Sequence, residues 1–273
     1  MGGGGPSGAA LALPARQLIP VWVLFVVLAG LGWLVTLDQA RGMFTASGTM
    51  GLALPGFIAM WIVMMAAMMF PSVAPIAIMW SRTIVARSTG VERAWRMSSF
   101  VLGYLLAWAG YGALAFVALL LTERLVQNAP EPAHWLGVAI FAVAGVYQLT
   151  PLKDACLRHC RSPMMSLLHY ANFKGAARDL RVGVHHGLYC VGCCWGLMLV
   201  LVAVGVMNVP AMIGLAAVIF FEKLWRRGWV LTRVVGAVFL VIAVAAAFDA
   251  TLLPALRPAG ATPQSEPAAM DGM

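Results

Sequence analysis

Residues Gly187–Val206 read GLYCVGCCWGLMLVLVAVGV, twenty residues without a charge. An α-helix rises about 1.5 Å per residue, so about 20 apolar residues match the roughly 30 Å hydrocarbon core of a bilayer. The stretch is predicted to be a transmembrane helix. It also carries three of the chain's five cysteines, Cys190, Cys193 and Cys194. In a helix, residues i, i+3 and i+4 share a face, so these three thiols project together. The same stripe runs back to His186 and forward to Met198.

The rest of the chain is of the same kind. Hydrophobic residues make up 62% of it, the mean hydropathy is +0.88, and only 10% of residues are charged, where a soluble domain carries roughly a quarter. Apolar blocks fall at Leu18–Leu37, Leu54–Trp80, Ser98–Leu121, Trp135–Leu152, Gly187–Val206, Pro210–Phe221 and Val230–Leu253. Backbone polar groups in lipid must be satisfied within their own segment, so each block is predicted to be helical. The fold class is therefore all-α, a polytopic transmembrane helix bundle of seven spans. Six is the alternative, because the sixth block is short and ends at Glu222-Lys223. The expected organisation is a flexible segment 1–17, a transmembrane domain 18–253 with a Cys/His-containing cytoplasmic loop at 153–186, and a disordered tail 254–273. The first apolar segment reads as a retained span rather than a signal peptide. Pro6 removes the myristoylation signal.

The net charge of +8 does not point to nucleic acid, because the basic residues sit in short loops between apolar blocks. Segments 1–17, 81–97, 153–186 and 222–229, with Arg233, hold fifteen Lys and Arg, and the alternate segments hold three. Basic loops stay on the cytoplasmic side, so seven spans put the N-terminus inside. The localisation expected is a multi-pass position in the plasma (inner) membrane.

His, thiolate and thioether on one stripe form a soft ligand set, suited to Cu(I), Zn(II) or an iron–sulfur centre. The competing reading is that free cysteine is an ordinary small buried residue. After the fourth block, PLKDACLRHCRSP places Cys156 and Cys160 four apart with His159 between them. That loop lies on the face where Cys190 enters the bilayer, so all five cysteines are expected to converge. The spacing is not that of a zinc finger. In the second block, MWIVMMAAMMFPSVAPIAIMW, Met60, Met64 and Met68 form a stripe with Met65 and Met69 beside it. A Met stripe is also a common way to fill a core. Pro71 and Pro75 interrupt the backbone ladder just beyond it. By helical rise Met68 lies roughly 18 Å, Met198 roughly 16 Å and Cys194 roughly 10 Å from the inner end of its span. An ion could thus be held between thiolates and thioethers, or passed along them. The expected metal set is Cys190, Cys193, Cys194, Cys156, Cys160, Met64, Met65, Met68, Met69, Met198, His186 and His159.

Other polar residues read mainly as structural. Tyr104, Trp108 and Tyr111 form an aromatic stripe whose hydroxyls are satisfied across helices. Tyr147, Gln148 and Thr150 are placed to orient the Cys156 loop, and Asn208 to form a turn. Glu222 reads as an interfacial partner of Lys223 or Arg226, with a carboxylate that supports the metal ligands or couples protons as the alternative. Gly192-x-x-x-Gly196 gives the thiol-bearing helix a thin edge. His169 and His185 carry no assigned role.

Set side by side, WIVMMAAMMFPSVAP, YQLTPLKDACLRHCRSP, HHGLYCVGCCWGLMLVLVAVGVMN and the Glu222-Lys223 helix end resemble a bacterial family of predicted metal-binding integral membrane proteins. The match runs from about Gly56 to Trp225. One departure is HYANFKG, where the family tends to carry Trp in place of His169-Tyr170. The resemblance implies a copper-handling membrane protein and no established reaction. The expected function is Cu(I) handling as a chaperone, in enzyme metallation or in export. Zinc or an iron–sulfur centre is the alternative cargo. The partners are the bilayer, the ion, and a metalloenzyme or soluble metal carrier. The rival readings are a thiol–disulfide oxidoreductase using the Cys190/Cys193 C-x-x-C pair, a secondary transporter, and a structural membrane subunit. Neither a nucleotide motif nor a nucleophile–base pair points to an enzyme.

Overall fold

The structure, a computed structural model, describes residues 19–42, 49, 51–85 and 88–249. The segment expected at 1–17 and the tail expected at 254–273 lie outside the described residues. Among those described, the chain forms nine α-helices and no strand. They are α1 (Ile19–Gly42), α2 (Leu54–Val85), α3 (Gly90–Asn128), α4 (Pro130–Gln148), α5 (Pro151–Arg161), α6 (Pro163–Tyr170), α7 (Arg178–Val204), α8 (Val209–Leu224) and α9 (Gly228–Phe248).

The expected count of seven spans is corrected to five or six. Among the described residues α1, α2, α3, α7 and α9 are long and apolar enough to cross a bilayer. The bent pair α4–α5, with 63° between its halves, makes six if taken as one span. The sixth apolar block falls on α8, whose 16 residues reach only about 24 Å. The fourth falls on α4, which is cut off from α5 at Thr150-Pro151. A proline has no N–H to continue the ladder and disfavours helical backbone in the residue before it. Thr150 uses that break to cap α5, accepting from the Lys153 N–H at 3.3 Å. By contrast, α2 runs through Pro71 and Pro75 as one helix.

Burial separates an inner pair of helices from an outer set. The apolar windows of α2 and α7 are 61% buried, those of α3 and α9 28% and that of α1 22%. The outer helices present Leu34, Leu114, Val117, Val238, Val241 and Val244 to the surroundings. Exposed apolar side chains on helices of this length suit lipid.

The tightest helix contact joins α3 and α7. A Cβ at Gly183 would sit 2.1 Å from the Phe100 carbonyl oxygen, and one at Gly103 would sit 2.2 Å from the Leu180 carbonyl oxygen. The two backbones touch because neither position has a side chain, the small-residue device of membrane helix packing. The Gly192/Gly196 edge singled out in the sequence faces Cys156 of α5 and Tyr147 of α4 instead.

Three basic segments gather at one end of this bundle. Arg96 pairs with Asp179 at the start of α7 at 2.9 Å, and the Trp80 indole donates to the same carboxylate at 3.1 Å. Arg161 at the end of α5 donates to the Trp225 and Arg226 carbonyls at 2.7 and 3.0 Å. Arg96, Asp179, Arg161, Trp225 and Arg226 therefore tie the described parts of these basic segments to one end. Adding a methyl at Gly183 must force α3 and α7 apart. Gly183→Ala is expected to cost at least about 1–3 kcal/mol, the usual range for overpacking. Gly30→Ala, with nothing within 4 Å, is expected to be near neutral. Thermal unfolding of the two detergent-purified variants measures the difference.

Candidate metal centre

Helical spacing alone explains why three thiols leave α7 on one side. The structure adds how close they come. The sulfurs of Cys190, Cys193 and Cys194 all lie within 4.8 Å of one another, and all three residues are buried. The Cys193 and Cys194 sulfurs are 3.3 Å apart, and the Cys193 thiol reaches the Cys190 carbonyl at 3.2 Å.

A fourth sulfur comes from α5. This short helix buries Lys153 and Leu157 on one stripe, and Cys160 continues that stripe one turn later. Its sulfur lies 3.8 Å from that of Cys193. Cys156, half-buried, packs instead against Gly192, its sulfur 3.0 Å from where a Cβ would stand. It is not part of the mutually close trio. All five thiols are free.

Two buried ammonium groups flank the sulfurs. Lys153 pairs with Glu222 at 2.8 Å and donates to the Cys193 carbonyl. Gln148 donates to the other Glu222 oxygen at 2.8 Å. The expectation that Glu222 pairs with Lys223 or Arg226 at an interface is corrected by this arrangement. Successive residues on a helix point about 100° apart, so Glu222 and Lys223 serve different neighbours. Lys223 donates to the Cys190 sulfur at 3.0 Å and to the Ser72 hydroxyl at 3.3 Å. Among the described residues no carboxylate lies within ion-pair distance of Lys223. Its partner is sulfur. Tyr104 also reaches the Cys190 sulfur, at 3.1 Å.

The remaining sequence-predicted residues occupy two regions. Met64, Met65, Met68, Met69 and Met198 are all buried. The α2 methionines are linked to the thiols through Ser72, whose hydroxyl donates to the Met69 carbonyl at 2.8 Å and accepts from Lys223. His186 is buried, its Nδ1 3.3 Å from the Tyr170 hydroxyl. The same hydroxyl lies 2.8 Å from His159 Nε2. Sequence reading missed Lys153, Lys223, Ser72 and Tyr170. For Lys153 a signal was present, since it shares an i, i+4, i+7 stripe with Leu157 and Cys160.

Chemically, the arrangement offers three to four thiols, a cation in contact with one of them, and little water. Soft thiolate donors in that number select Cu(I) or Zn(II). Among the described residues a buried thiol cluster that could hold a metal ion thus sits among helices long and apolar enough to cross a membrane. The chain belongs to the PpoB2 copper chaperone family, whose model matches residues 58–246 and so takes in all five cysteines and both lysines. No curated protein and no solved structure matches it. The family and the buried cluster together fit copper handling.

Removing one member of a buried ion pair strands the other. Glu222→Ala leaves Lys153 without its counter-charge, and is expected to cost about 3–5 kcal/mol. The double variant Lys153→Met/Glu222→Leu is expected to recover most of that loss. Unfolding of the four proteins of this cycle in detergent gives the coupling directly.

Proposed function

We propose that the protein is an integral membrane copper chaperone that holds Cu(I) on the sulfurs of Cys190, Cys193, Cys194 and Cys160. The observation that carries this reading is the buried trio within 4.8 Å, with a fourth sulfur supplied by a separate helix at 3.8 Å. Charge balance can be met with Cu(I). Lys153 and Glu222 cancel, which leaves Lys223 as the one uncompensated charge beside the sulfurs. Cu(I) held by two thiolates carries a net charge of −1, and Lys223 brings the assembly to neutrality. A neutral assembly is the one a low-dielectric interior tolerates best.

The buried methionines of α2 and Met198 are a second, weaker store on this reading. Thioethers bind Cu(I) less tightly than thiolates, so they suit an ion on its way to or from the cysteines. Cys156, packed on the opposite edge of α7, is a reserve thiol beside the same turn. The end of the bundle that gathers the basic segments faces the cytoplasm, and the chain sits in the inner membrane. Copper acquired there is passed to a metalloenzyme or a soluble carrier.

Competition with a chromophoric Cu(I) chelator, run anaerobically on detergent-purified protein, tests this. Wild type is expected to hold at least one tight equivalent that Cys193→Ser/Cys194→Ser lacks. Equal stoichiometry in the two would overturn the assignment. Lys223→Gln is expected to keep the stoichiometry and lower the affinity about 10–100-fold, the usual range for a group that supports metal ligands.

A further inference from the structure

Four of the chain's five histidines meet where α5, α6 and α7 converge, although they are scattered over residues 159–186. The His169 and His185 rings stack with centroids 4.9 Å apart. His159 lies 6.0 Å from His185 and 6.3 Å from His169. His186 lies 6.3 Å from His159 on the inner side. Exposure falls along the series: His169 is exposed, His185 and His159 are half-buried, and His186 is 2% exposed. Nδ1 of His185 is buried and has no hydrogen-bond partner. That nitrogen is therefore not engaged by any protein group among the described residues and is open to a ligand.

We propose that His159, His169 and His185 form an outer imidazole site that receives Cu(I) ahead of the thiols, an inference that rests on the copper reading above. Neutral imidazole is a borderline donor that takes copper. With metal–nitrogen bonds of about 2.0 Å, rings on one ion stand with centres roughly 5 Å apart. The three ligand nitrogens do not all lie within 4.8 Å of one another in this conformation, so binding requires the His169 and His159 rings to turn toward His185. Hydrogen bonds lead inward from His159. His159 precedes Cys160 in the chain, and its Nε2 shares the Tyr170 hydroxyl with His186, one helical turn before Cys190. Tyr189 stacks on His159 at 3.9 Å and lies 5.1 Å from His185, walling the site.

The transfer involves no redox change. A Cu–N bond breaks and a Cu–S bond forms at Cys160 or Cys193, with copper remaining Cu(I). If the receiving sulfur is a thiol, its proton passes to the imidazole that has released the ion. Thiolate binds Cu(I) more tightly than imidazole, so the ion moves inward.

The test is stopped-flow uptake of Cu(I) by the full-length protein in detergent, with the equilibrium stoichiometry measured by chelator competition on the same samples. His169→Gln, at an exposed position, and His169→Gln/His185→Gln are compared with wild type. Both variants are expected to keep the tight thiol equivalent while uptake slows at least about 10-fold in the double variant. Uptake at the wild-type rate with the thiol equivalent intact would overturn the outer site and leave the thiol reading standing. If Cys193→Ser/Cys194→Ser instead matches wild type in stoichiometry, the thiol reading fails and the outer site fails with it.

Discussion

Four helices meet on one buried ion pair. Lys153 of α5 reaches Glu222 of α8 and the Cys193 carbonyl of α7, while Gln148 of α4 completes the carboxylate. Neither charge has access to water, and an unpaired ion in such surroundings is far more costly than a paired one. The pair therefore restricts how α4, α5, α7 and α8 can pack. With Lys153 held against the thiol-bearing turn, the next turns of α5 deliver Cys160 to Cys193. The meeting of the α5 and α7 sulfurs thus goes with the pairing of this buried charge.

The second ammonium works differently. Lys223 has sulfur and a hydroxyl as partners rather than a carboxylate, so the protein keeps one positive charge in contact with Cys190. Helix α8 is too short to qualify as a span by itself, yet it supplies both Glu222 and Lys223 from its last turn. One residue secures the packing and its neighbour serves the sulfurs. The 100° turn between successive helical positions makes this division possible. On the stripe of α7 that continues to Cys190, the glycine contact with α3 brings Tyr104 against the Cys190 sulfur. The thiol cluster is consequently enclosed by side chains from several helices, the condition under which a soft ion can be sheltered from water.

The outer histidines extend this arrangement toward the surface. The series from His169 to His186 runs from exposed to buried and ends one turn from the first cysteine. Aromatic rings line it, and the Tyr170 hydroxyl ties His159 to His186, while Nδ1 of His185 has no hydrogen-bond partner among the described residues.

What the sequence by itself determined follows from local rules. Apolar blocks of about 20 residues specify helices of membrane length, and i, i+3, i+4 spacing puts Cys190, Cys193 and Cys194 on one face of α7 whatever surrounds it. The five long helices, the all-α class and the thiol stripe were legible on those grounds. The length rule failed where it was marginal, at the short α8 and at Thr150-Pro151, where a proline bends a segment that hydropathy alone reads as continuous. Only the tertiary structure decided that Glu222 pairs with Lys153, that Lys223 faces sulfur, and that His169 and His185 adjoin His159. Those partners are 69, 33 and up to 26 residues apart in the chain. Periodicity states which side of a helix a residue occupies. Which helix then lies on that side is set by packing and by the need to neutralise buried charge.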